Sequence, residues 1–146
     1  MIREVIKEKT SADHLLYVSL KYTKTCDVIL NLIERWKYLI EKSFDALLQN
    51  LIDKDKLVGL PNSPKQRIDF IRTNFKKSSS IQNIIPLYVF FKRVPELSKK
   101  RECEFRKNVC LKVKLPNEEI SINMEKLTEY SSIIDSFIDE VKKILI

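Results

Sequence analysis

One glycine in 146 residues leaves the chain almost no backbone that takes positive φ at low cost. That scarcity argues against a phosphate-cradling P-loop, a dinucleotide-binding glycine turn and a lid on glycine hinges. The only histidine is His14, so chemistry that needs two imidazoles in one chain is excluded. Cysteine is limited to Cys26, Cys103 and Cys110, an odd number with no Cys-x-x-Cys pair. No disulfide framework is expected, and a reducing compartment fits. No apolar run reaches the ~18 to 20 residues that span a bilayer. Met1–Thr10 alternates charge with Ile and Val and has no signal-peptide core. A soluble, cytoplasmic chain is expected, with no membrane segment and no cofactor.

The residues present describe a globular protein. Apolar residues make up 44% and charged residues 32%, a mixture that builds a core and does not read as disordered. The length suits a single domain spanning 1–146. The net charge of +7 is unevenly spread. Residues 1–60 have net +1, residues 61–115 hold 14 Lys and Arg against 4 acids, and residues 116–146 have net −4. Such polarity attracts a polyanion to one face or pairs the molecule head to tail with itself.

From Thr10 to about Asp53 there is no Gly or Pro. Thr10 with Asp13 resembles a capping box, which predicts a helix starting near Ser11. Apolar residues then recur at three and four, through Leu15, Val18, Tyr22, Cys26, Ile29, Ile33, Trp36, Ile40, Phe44 and Leu51. Thr23-Lys24-Thr25 is the weak point, so the stretch is either one bent helix or two helices broken there. Ser63-Pro64 with Gln66 predicts a second helix to about Lys77, with Ile68, Ile71 and Phe75 inward. After Ser78-Ser79-Ser80, Ile81 to Arg93 is expected to be helical, with Pro86 in the first turn if the helix begins near Ile84 or Ile85, and with Pro95 ending or interrupting it. Ser98 is placed to cap another helix to about Val109.

The period then changes to two. Val109, Leu111, Val113 and Leu115 alternate with polar residues, as do Ile120, Ile122 and Met124 after a four-residue turn. That pattern predicts a β-hairpin over about 109–124. Asn123 then caps a last helix with acids early and lysines late. The expected fold is mainly α, a bundle of four or five helices with one small hairpin.

For chemistry, the basic middle carries the clearest signal. Residues 92–114 hold nine cations against three acids, with Phe90, Phe91 and Phe105 interleaved. Phosphate binding needs several cations on one surface, and stacking needs exposed rings. Lys99, Lys100, Arg101, Arg106 and Lys107 are the expected phosphate contacts. His14, Tyr17 and Lys21 share one face of the first helix at spacings of three and four, a polar strip of types that grip phosphate or ribose. The bland alternative for that strip is a solvated helix face. The same holds for Asp27, Glu34 and Glu41, which repeat every seven. A zinc site from the three cysteines and His14 lacks short-spaced ligand pairs, and no metal is expected.

The segment His14-Leu-Leu-Tyr-Val-Ser-Leu-Lys-Tyr-Thr-Lys-Thr25, running into a long amphipathic helix, resembles uncharacterised helical-bundle proteins of thermophilic archaea. Glu104-Phe-Arg-Lys-Asn-Val109 resembles a later part of such proteins. The layout is similar to HEPN-type bundles, which occur as RNA-cleaving toxins and as inactive, nucleotide- or RNA-associated partners. Active members carry an Arg followed four to six residues later by a His on a late helix. Arg101 and Arg106 stand in the corresponding part of this chain, but no His follows either, and Asn108 comes seven after Arg101. The resemblance therefore implies a member without the usual nuclease centre.

Three readings remain open. The first is a non-catalytic module that binds RNA or DNA backbone through 92–114. The second is a structural or protein-interaction homodimer, resting on the Trp36 stripe and the opposed charges of the middle and final segments. The third is a ribonuclease or other hydrolase using His14.

Overall fold

The computed structural model describes residues 1–146. The chain is mainly helical, with one three-stranded antiparallel sheet. Helix α1 (Ile2–His14) continues through a π-helical stretch, Leu15–Ser19, and a last turn, Leu20–Tyr22. It starts well before the expected Ser11. Thr10 does not cap it, because its hydroxyl donates back to the Ile6 carbonyl from inside the helix. The start lies earlier because Ile2 and Val5 already pack on the core. The buried stripe also differs from the expected one. Ala12, Leu16 and Leu20 face inward, while Val18 and Tyr22 are exposed. The wider π turn shifts which residues reach the core.

The chain breaks at Thr23–Thr25, and α2 (Cys26–Asp53) begins with Thr25 accepting from the Val28 N–H at 3.3 Å. This is the two-helix outcome of the two that the sequence left open. Helices α1 and α2 form an antiparallel hairpin. Glu8 pairs with Arg35 at 3.2 Å and Glu4 with Lys42 at 3.9 Å, so the pairing runs backward from the break.

Helix α3 (Pro64–Asn74) starts as expected, with Ser63 accepting from the Gln66 N–H. Of its expected inward residues, Ile71 is buried, and Ile68 and Phe75 are partly so. Helix α4 (Ser79–Arg93) covers the expected Ile81–Arg93 and starts two residues before it, because Ser78 caps it by accepting from the Ile81 N–H at 3.3 Å. Pro86 therefore sits mid-helix, where its ring removes one ladder hydrogen bond. A short 3₁₀ turn, Val94–Glu96, ends the helix at Pro95.

The expected helix after Ser98 is absent. Strand β1 (Lys99–Glu102) occupies that stretch and pairs antiparallel with β2 (Cys110–Lys114), Lys99 opposite Val113 and Glu102 opposite Cys110. Strand β3 (Glu119–Ile122) pairs with the other edge of β2, completing the expected hairpin. β1 is a charged edge strand whose residues nearly all face solvent, so it lacks the alternation that marks β2. Helix α5 (Met124–Leu145) is capped by Asn123, which accepts from the Lys126 N–H at 2.8 Å.

One core of 34 buried residues joins all these elements except α3's outer face and β1. Its centre is aromatic. Trp36 of α2 stacks on Phe91 of α4 with centroids 5.9 Å apart and meets Tyr130 of α5 edge-on at 6.4 Å. Phe44 joins Tyr88 and Phe137 in the same way. The Trp36 stripe is thus consumed inside the chain, Trp36 itself being 1% exposed. It offers no face to a second copy.

Candidate nucleic-acid interface

The site lies where the sheet meets the tip of the α1–α2 hairpin. The turn between β1 and β2, residues 103–109, docks against the helix break. The Phe105 N–H donates to the Lys24 carbonyl at 2.6 Å. Glu104 accepts from the Cys26 N–H at 3.0 Å. That amide belongs to the first turn of α2 and has no partner within the helix, and a carboxylate there also meets the positive end of the helix dipole. Cys26 in turn donates its thiol to the Cys110 carbonyl at 3.4 Å. Burial pushes this thiol up from its ordinary value, which keeps it protonated.

Arg101 closes the junction from β1. Its guanidinium reaches Asp27 at 2.7 Å and Glu104 at 3.4 Å. The hydrogen bond and charge of Arg101 hold the Asp27 carboxyl below the usual carboxylate range. Arg101 thus ties sheet to hairpin, and little of its charge is left over.

The cations expected at phosphate divide into two groups. Lys99 turns back onto the carbonyls of Val94, Pro95 and Leu97 at 2.8, 3.2 and 2.8 Å, neutralising the end of the α4 segment. Lys100 lies 3.6 Å from Glu102, and Lys112 bridges Glu102 and Glu119. Arg106 and Lys107, at the tip of the turn, are exposed and meet no carboxylate. Lys21 is likewise exposed on the last turn of α1, and Lys24 carries the carbonyl that anchors Phe105. The structure therefore docks the turn that carries Arg106 and Lys107 on Lys24, three residues after Lys21.

His14 and Tyr17 are exposed on the same side of the chain's start, but lie farther from the turn. His14 precedes Tyr22 by eight residues, about 12 Å of helix. Asp13, its neighbour, is bound to Lys9 at 2.6 Å and orients nothing toward the imidazole. Of the acids at 27, 34 and 41, the first two lie on a solvated face as expected and the third is partly buried. Asp27 pairs with Arg101, Glu34 with Lys37, and partly buried Glu41 accepts from the Tyr88 hydroxyl at 2.8 Å. No three metal-ligating side chains converge, and the three thiols are free.

Two aromatic rings stand out at this end. Phe105 is 75% exposed and Tyr22 79% exposed. Phe90 and Phe91, the other rings of the basic stretch, pack inward. The turn also holds two residues at positive φ, Cys103 at 54° and Phe105 at 66°. For residues other than glycine such backbone costs about 1 to 2 kcal/mol each. Nothing in the sequence announced the docking of this turn on the helix break. The one available hint was the pair of threonines flanking Lys24, which marked the break but not what covers it.

A second concavity of about 320 Å³ lies between α2, the start of α3 and α4. Its charged groups satisfy one another. Arg67 pairs with Asp45, and Tyr88 donates to Glu41. Burial first, and Glu41 second, push the Tyr88 hydroxyl far above its ordinary value.

By fold the chain is a mainly-α protein with a small antiparallel sheet, and no helix is long and apolar enough to cross a membrane. Compared with family models, with curated proteins and with solved structures, the chain matches none. Neither arginine that the HEPN resemblance singled out stands on a late helix. Arg101 lies on a strand and Arg106 in a turn, where a late helix was expected.

Proposed function

We propose that the protein binds the phosphate backbone of RNA or DNA through the 103–108 turn and the adjoining tip of the α1–α2 hairpin, without catalysis. The observation that carries this reading is the pairing pattern. Arg106, Lys107 and Lys21 are exposed and unpaired, whereas the carboxylates around them, Asp27, Glu102 and Glu104, are all engaged. A surface with satisfied acids and free cations attracts a polyanion and discriminates little between sequences. The acids of α5 do not neutralise this end. Asp135 reaches Lys9 at 2.8 Å, and Glu129 reaches Lys126.

The test is fluorescence anisotropy with labelled mixed-sequence oligonucleotides across a salt series. Affinity is expected to fall steeply with salt. Reversing Arg106 and Lys107 to Glu should weaken low-salt binding at least about tenfold and flatten the salt slope by about two units. Lys99→Ala with Lys100→Ala should change affinity less than about threefold, since both side chains are engaged within the protein. Unchanged binding in the Arg106/Lys107 variant would overturn the assignment of this surface.

A further inference from the structure

We infer that the turn recognises nucleic acid as a single strand, with an unpaired base stacked on the Phe105 ring while Arg106 and Lys107 hold the flanking phosphates. This inference rests on the backbone-binding reading above and adds what distinguishes one form of the ligand from another. Phe105 occupies a position where glycine is the easy choice, with φ 66°, and its ring is 75% exposed. The ring therefore contributes little to the core, and the backbone beneath it is strained. Strain of this kind persists only where surrounding structure over-determines it. Here two contacts do so. The Phe105 N–H is held by the Lys24 carbonyl at 2.6 Å, and the preceding Glu104 is held by the Cys26 N–H at 3.0 Å. The result is a ring fixed at its base and open to solvent, directly followed by two unpaired cations.

That order of groups matches the chemistry of an unpaired strand. A base with a free face stacks on an aromatic ring, and its neighbouring phosphates meet the cations. A base inside a duplex is already stacked on both faces and offers the ring nothing without being unstacked first. Tyr22 is a second exposed ring, on the helix end that the turn docks against. It is 79% exposed, two residues before the carbonyl that anchors Phe105, with the Lys21 ammonium 5.9 Å from its ring centre. Every base has a π-face, so stacking of this kind serves RNA and DNA alike.

The experiment uses the full chain, a labelled single-stranded oligonucleotide of mixed sequence as RNA and as DNA, and the duplex each forms with its complement. Phe105→Ala should weaken single-strand binding about tenfold and leave duplex binding within about twofold. Phe105→Trp should retain single-strand binding. Phe105→Gly removes the ring and relieves the backbone, so it should lose the same affinity while melting no lower than the parent. Equal loss on single strand and duplex overturns the stacking and leaves the backbone reading in place. No loss on either also overturns it. Absence of binding by the parent chain to any probe overturns both readings.

Discussion

Strand β1 holds more cations than the turn that follows it, yet the turn presents more free charge. Lys99 donates to three carbonyls, Lys100 sits beside Glu102, and Arg101 is shared by Asp27 and Glu104. In the turn, Arg106 and Lys107 are exposed and meet no carboxylate. β1 is a sheet edge, and its charges hold that edge in place and guard it against pairing with another chain. The turn is pinned through its backbone and through Glu104, so its side chains are free for outside work. The count of lysines and arginines in a segment therefore says little about the field it projects. What decides is whether main-chain groups or side chains do the anchoring.

Removing the anchor should have the largest effect on this contrast. Glu104→Ala leaves the Cys26 N–H without a partner and deprives Arg101 of one of its two carboxylates. A stability loss of about 1 to 2 kcal/mol is expected, as for a lost helix cap. It is read from denaturant midpoints, and a loss below the error of that measurement would mean that Glu104 does not hold the turn. A smaller change of opposite sign is expected from Cys103→Gly, which relieves the φ of 54°. Relief of about 1 to 2 kcal/mol is partly offset by the extra chain entropy of glycine, so a gain of up to about 1 kcal/mol should appear as a raised thermal midpoint. The smallest effect concerns Asp27. Its carboxyl should titrate below the ordinary value of about 3.9 and return to it in Arg101→Ala, followed by carbon-detected NMR. Because the folded-state value is depressed, the pair's contribution is present above that ordinary value. It is lost as pH falls through the depressed one. An unshifted Asp27 in the parent would mean that Arg101 is free, and the contrast between strand and turn would shrink.

The helices with strong local signals were legible from residue types alone. Ser63-Pro64, Asn123 and the Thr23–Thr25 break all act within one turn of chain, and each appears where the spacing placed it. β2 and β3 were legible because Leu111, Val113 and Ile122 alternate with polar residues across a buried face. β1 was not, because a charged edge strand has no buried face to give it period two. The α4 span was legible from Ile81 to Arg93, and what Pro86 left open was whether it stood in the first turn. The Ser78 cap and the packing of Ile81 and Ile84 carry the helix past it on the N-terminal side, so it stands in the interior. At the candidate site, Arg106, Lys107 and Lys21 were visible as residue types, and the docking of the 103–109 turn on the helix break was not. It depends on Glu104 and Phe105 meeting the helix break across roughly half the chain, a contact no local spacing encodes.

That contact also orders events in time. Cys26 and Glu104 are 78 residues apart. Closing a loop of that length costs roughly 4 kcal/mol of chain entropy beyond a constant. The α1–α2 hairpin, by contrast, closes over a three-residue link and can zip as soon as both helices exist. During synthesis the hairpin therefore leaves the ribosome long before the residues that seal its tip. For that interval the first amide of α2 is answered by water. The sheet is a late-arriving clasp, and the strained backbone of Phe105 is set in place only when the clasp shuts.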